Sequence, residues 1–162
     1  MKSLKILVAA VVLCSASAFA QTAADTSTDA QTDQDIALLR KDVSSAKMDV
    51  ITHTMQFTEK EAAAFWPVYQ GYAAAQKQIG DQKVALIKEY AQNYDTLDDA
   101  KATSMSQKMF SIEAESVAVR QKWFPKFVAV LGAKRAAKFM QVDNRLSLLA
   151  NLQIASAVPI IP

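Results

Sequence analysis

Residues 57–72 read FTEKEAAAFWPVYQGY, and the fold turns on how this stretch is read. Thr58 followed by Glu61 makes a capping box. The hydroxyl accepts from the amide three residues on, while the carboxylate reaches back to the cap's own N–H. Phe57 and Ala62 stand at the spacing of a hydrophobic staple. A helix therefore begins near Glu59, although Pro67 and Gly71 lie inside it. The spacing of Phe65, Tyr69, Tyr72, Ile79, Leu86 and Tyr90 carries one apolar stripe on to about Asn93.

Working outward, YDTLDDAK at 94–101 interrupts that period, and Thr96 or Asp98 can cap the helix that follows. Its stripe holds Met105, Met109, Ile112, Val119, Trp123, Phe127 and Val130. Beside it run Phe110, Ala114, Val117, Phe124, Val128 and Leu131. Gly132 ends this helix or caps the next, which shows Ala136, Phe139, Val142, Leu146 and Leu149. Upstream, Ile36, Leu39, Val43, Ala46 and Val50 step by three and four. Three glycines and four prolines in 162 residues leave few turns for a β meander. The expected fold is all-α: four helices, two of them long, in one domain over 36–162.

A second aromatic–aromatic–proline cluster, Trp123-Phe124-Pro125-Lys126-Phe127, matches the first. If the two long helices form an antiparallel hairpin about Thr96, Pro67 and Pro125 fall at one level. Each proline removes one i to i−4 hydrogen bond and crowds the preceding turn, so each is expected to bend its helix. The expected shape is an elongated, bowed hairpin roughly 50 Å long at 1.5 Å per residue. Phe65, Trp66, Tyr69, Trp123, Phe124 and Phe127 would fill the elbow.

The chain opens MKSLKILVAAVVLCSASAFAQ, with Lys2 and Lys5 ahead of a short apolar run and an Ala18-x-Ala20 site. That is a secretory signal peptide over 1–20, too short in its apolar part to span a bilayer. Leu13 before Cys14 disfavours lipidation, so cleavage after Ala20 removes the single cysteine. Residues 21–35 carry four aspartates, no basic residue and no large apolar side chain, and read as a disordered acidic leader. The remainder holds 16 basic and 12 acidic residues, a net charge of +4. So slight a bias does not suit a nucleic-acid partner. No stable membrane insertion is expected of the mature chain.

No catalytic constellation stands out. His53 is the one histidine, Asp98-Asp99 suits a helix N-terminus, and Glu113 and Glu115 point to different sides of a helix. No phosphate loop, dinucleotide fingerprint or nucleophile elbow is present, so neither enzyme activity nor a cofactor is expected. His53, Met48, Met55, Met105 and Met109 are ligand types suited to Cu(I), which keeps a metal-stress sensor as an alternative. Methionine at helical spacing more often fills core gaps, and no metal site is expected.

The signal peptide, the small all-α body and two helix starts of the Leu-Thr-x-x-Gln type resemble the Spy/CpxP family of periplasmic proteins. The first start is Phe57-Thr58-Glu59-Lys60-Glu61, with Phe for Leu and Glu for Gln; the second is Leu131-Gly132-Ala133-Lys134-Arg135, which keeps the Leu and a capping-type residue but loses Thr and Gln. The resemblance covers the organisation of residues 45–150. It implies a helical hairpin that dimerises into a cradle, shields unfolded clients without ATP and reports envelope stress. The function expected is therefore periplasmic and chaperone-like. Client contact would come from the six elbow aromatics and from Lys60, Lys77, Arg120, Lys122 and Lys126, with Thr58, Glu61, Pro67, Pro125 and Gly132 shaping the scaffold. The alternative is a structural adaptor for one dedicated envelope partner.

Overall fold

Helix formation follows the local signals closely. The structure, a computed structural model, describes residues 43–161. The expected signal peptide with its Cys14, the expected acidic leader, and Ile36 and Leu39 of the expected first stripe lie outside the described residues. Helix α1 is seen over 43–55, α2 spans Glu59–Asn93, α3 Asp99–Leu131 and α4 Ala133–Ala157. A single 3-10 turn, Tyr94–Thr96, links the long pair. The fold is all-α, with no strand among the described residues.

The caps account for these boundaries. Thr58 Oγ1 accepts from the Glu61 amide at 3.3 Å, and the Thr58 amide donates to Glu61 Oε2 at 2.9 Å, completing the capping box. Asp98, rather than Thr96, caps α3 by accepting from the Lys101 amide at 2.7 Å. Gly132 does both jobs open to it. At a φ of 76° it closes α3 by donating its backbone N–H to Val128 O at 2.8 Å, and its own carbonyl starts α4 by accepting from Ala136 at 3.0 Å. An L side chain strains in that left-handed region, which is why glycine sits there.

Helices α2 and α3 form the antiparallel hairpin. Phe65 meets Phe127 with ring centroids 5.5 Å apart, Gln82 Nε2 donates to Glu115 at 2.9 Å, and Lys108 reaches Glu89 at 2.7 Å. Phe65 is two residues before Pro67 and Phe127 two after Pro125, so the prolines do share a level; both are exposed. The 35 residues of α2 span about 52 Å. Helix α4 then turns back alongside. Tyr72 meets Asp143, Lys83 meets Asn151 and Tyr90 meets Pro159, so α4 runs parallel to α2. Helix α1 lies antiparallel to α4, with Lys47 on Asp143 and Met55 O on Arg135.

The main core gathers where all four helices overlap, at the end away from the α2–α3 turn. Ile51 and Met55 of α1 join Phe65, Tyr69, Tyr72, Phe127, Leu131, Ala136, Phe139 and Val142. Toward the turn, Ile79, Met105 and Ile112 are the buried apolar residues. Polar ties do more of the work there. Glu89 holds Lys108 at 2.7 Å and Lys101 at 3.3 Å, while Tyr90 and Tyr94 donate to the carbonyls of Pro159 and Ile160. Among the described residues no helix is long and apolar enough to cross a membrane.

Candidate binding surface

The two aromatic clusters meet as their spacing requires, yet they do not form an open elbow. Phe65, Tyr69 and Phe127 are buried, Trp66 and Trp123 are half-buried, and of the six only Phe124 is exposed, at 37 %. The reason is α4. Its Phe139 ring inserts among them, with centroids 4.5 Å from Phe127, 5.0 Å from Phe65 and 6.1 Å from Tyr69. Several of these contacts are edge-to-face, the arrangement that aromatic quadrupoles favour. The assignment of Phe65, Tyr69 and Phe127 to client contact is thereby corrected: in this fold they are core.

Gly71 explains itself at the same place. The six-membered ring of Trp123 comes up against its bare backbone, Cη2 foremost. A Cβ built there would stand 3.0 Å from Cζ3 and closer still to Cη2. Lys126 Nζ rests 3.9 Å from the centroid of the Trp123 ring. The glycine is a seat for the indole.

The basic candidates separate as well. Lys77 is paired with Asp81 at 2.8 Å, and Arg120 donates to Asn144 Oδ1 at 3.0 Å. Lys126 is engaged by Trp123, while Lys60 and Lys122 are exposed. Lys122 and Lys126 each lie two residues from Phe124, so they point to a different side of α3 from that ring.

What α3 does present is a row of apolar side chains at seven-residue intervals. Phe110 is 61 % exposed, Val117 46 % and Phe124 37 %, with exposed Ala114 between them. The Arg120–Asn144 contact sets the register with α4. Three residues from Arg120 toward the hairpin turn comes Val117, and four from Asn144 in the same direction comes Leu148. Both steps keep the helix face, so Val117 and Leu148 stand level. Leu148 is 58 % exposed.

One site feature went unread in the sequence. Asp143 is buried, accepts from Tyr72 Oη at 2.6 Å and pairs with Lys47 Nζ at 2.6 Å. Gln76 donates to the Tyr72 oxygen at 3.0 Å. Burial first, then the charge of Asp143, raises the Tyr69 phenol to about 12 and Tyr72 further still. The signal was available: Asp143 occupies the inward stripe of Phe139, Val142 and Leu146, where an acid needs a partner.

The copper-type residues are split between core and surface: Met55 and Met105 are buried, whereas His53, Met48 and Met109 are exposed. Among the described residues no group of three His, Cys, Asp or Glu side chains could hold a metal ion. Two shallow grooves open to solvent, one of about 340 Å³ between α1 and α2 beside Met48, Trp66 and Tyr69, the other of about 310 Å³ between α2 and α3. No protein family, curated protein or solved structure matches the chain.

Proposed function

We propose that the protein is exported to the periplasm and there binds unfolded or assembling envelope proteins without ATP, using the outward face of α3 and α4 rather than the aromatic elbow. The observation that carries this reading is the row Phe110, Val117 and Phe124, exposed on a helix packed against α2 and α4. Contiguous exposed apolar surface marks an interaction site. Side chains spaced one above another along a helix can touch an extended client at several points without enclosing it. Arg120, four residues from Phe124 on the same face, adds one cation, and the mild positive charge of the body speeds encounter with acidic chains. The Spy/CpxP resemblance supports the same reading, including dimerisation and a link to envelope stress.

The test is light scattering from several unrelated denatured proteins diluted into buffer, with and without the mature chain. Suppression is expected without ATP, and Phe110→Ser/Phe124→Ser should remove most of it. Because Phe124 is only 37 % exposed and part of its ring is packed, far-UV circular dichroism of the variant must match that of the parent before the two are compared. If the folded parent protects none of these clients, the reading is wrong, and an adaptor for one dedicated partner takes its place.

A further inference from the structure

Helix α4 has two faces of opposite character. Inward lie Ala136, Phe139, Val142 and Asp143, all buried. On the other side, alternating steps of four and three residues align Lys134, Lys138, Gln141, Arg145, Leu148 and Leu152, and all six are exposed. This stripe is ordered along its length, cations first and leucines after. From Lys134 to Ile161 the sole Asp or Glu is Asp143, and it is buried.

The fold makes little use of this stripe. Among the described residues Lys134 and Arg145 make no ion pair. Lys138 donates to Thr54 O at 2.7 Å yet stays exposed. Leu148, Leu149 and Leu152 are 58 %, 61 % and 67 % exposed, and no charged residue occurs from Leu146 to Ile161. Past the helix end, Tyr90 and Tyr94 hold the carbonyls of Pro159 and Ile160, each at 3.0 Å, and leave the Ile160 side chain exposed. Neighbouring leucines left in water in this way mark an interaction site.

Charge decides which occupant suits the stripe. A second copy fits poorly: parallel pairing sets cations against cations, and antiparallel pairing sets the leucines of one copy against the cations of the other. Lys134 and Leu152 are eighteen residues apart, about 27 Å of α-helix. The surface of an anionic bilayer meets both halves over that length, offering phosphates to the cations and an apolar interior to the leucines. We infer that the exposed stripe of α4 is a docking surface for anionic phospholipid membranes, on which the helix lies without crossing. Lys134, Lys138 and Arg145 pair with lipid phosphates, while Leu148, Leu149 and Leu152 enter the boundary between headgroups and acyl chains. The contact does not depend on the α3 row. Only its consequence rests on the proposed function: it would hold Phe110, Val117 and Phe124 near the bilayer at which envelope proteins assemble.

The test is flotation of the mature chain with two kinds of vesicle, pure phosphatidylcholine and an equimolar mixture with phosphatidylglycerol. Partition into the mixed vesicles should be stronger by roughly tenfold or more, and added salt should weaken it. Lys134→Gln/Arg145→Gln should lose about tenfold on the mixed vesicles, and so should Leu149→Ser/Leu152→Ser. Phe110→Ser/Phe124→Ser, which alters the α3 row, should float as the parent does. Far-UV circular dichroism of each variant must match the parent's, and the comparison of the two vesicle types needs no variant. A folded parent that fails to float with the mixed vesicles, or floats equally with both kinds, overturns the inference. Loss of flotation in the α3 variant overturns the assignment to α4. A dimer seen by sedimentation in a chain that ignores vesicles, and dissociated by Leu149→Ser/Leu152→Ser, gives the face to a second copy instead. No client is present in these measurements, so failure of the aggregation test leaves them standing, and their failure leaves the α3 row standing.

Discussion

Replacing Gly71 with alanine should destabilise the protein, although Gly71 lies inside a helix where alanine is the better former by about 1 kcal/mol. The reversal comes from Trp123. A Cβ at position 71 would lie 3.0 Å from Cζ3 and closer to Cη2, well inside ordinary van der Waals contact. Tyr72 packs against the indole with centroids 6.3 Å apart and Lys126 Nζ lies 3.9 Å from the ring centroid, so moving the indole disturbs both contacts. Overpacking of this kind costs typically about 1–3 kcal/mol. Less the propensity gain, a net loss on the order of 1–2 kcal/mol remains. Gly80 is the internal control: it lies in the same helix, and a Cβ there meets nothing within 4 Å. Gly80→Ala should therefore stabilise by roughly 0.5–1 kcal/mol. The assay is urea unfolding followed by far-UV circular dichroism, with the two single variants side by side. Adding Trp123→Leu to Gly71→Ala should recover part of the loss, with a coupling of about 1 kcal/mol or more between the sites. If Gly71→Ala stabilises as much as Gly80→Ala does, the indole does not rest on that backbone and the packing argument fails.

Thr58→Ala should cost on the order of 1 kcal/mol, as N-cap losses do, and an unchanged thermal melt would show that α2 does not depend on this cap. Hydrogen bonds from the Thr58 amide and hydroxyl, with Arg135 nearby, hold the Glu61 carboxyl below its ordinary 4.5. A depressed carboxylate favours the fold above its unfolded pKa, so this contribution is present at neutral pH. It is lost as pH falls below 4.5 through the folded value. An NMR titration of the Glu61 carboxyl should show the low value in the parent and a partial rise in Thr58→Ala, which loses the hydroxyl donor but keeps the amide; an identical titration in both would refute the hydroxyl's share. Pro67→Ala/Pro125→Ala restores two backbone donors and removes two ring clashes at one level of the hairpin. If the prolines bow the hairpin as the sequence predicts, small-angle scattering should report a straighter, longer particle, and an unchanged profile would count against that expectation.

Much of the fold was legible because its causes are local. The start of α2 at Glu59 needs only Thr58 and Glu61, and its close at Asn93 follows from the turn residues beyond it. Gly132 declares the α3–α4 joint by the conformation that it alone adopts without strain. Even the pairing of Pro67 with Pro125 could be counted from the turn, since an antiparallel hairpin leaves no other register once Thr96 is its centre.

Burial was not legible in the same way, because it belongs to whichever surfaces meet. From period alone, Phe124 and Phe127 are equivalent members of neighbouring stripes; one is exposed and the other buried because α4 turns back and delivers Phe139 to one side of α3. Gly71 reads as a weak point in a helix until Trp123, 52 residues away, is laid on it. Asp143 finds its lysine 96 residues upstream, on a helix whose own sequence shows no need for an acid. Hydrogen-bonded turns and caps close within four residues, so sequence alone sets where the helices begin and end. Which of their faces become core, and which are left to bind, is decided only when distant helices compete for the same apolar surface.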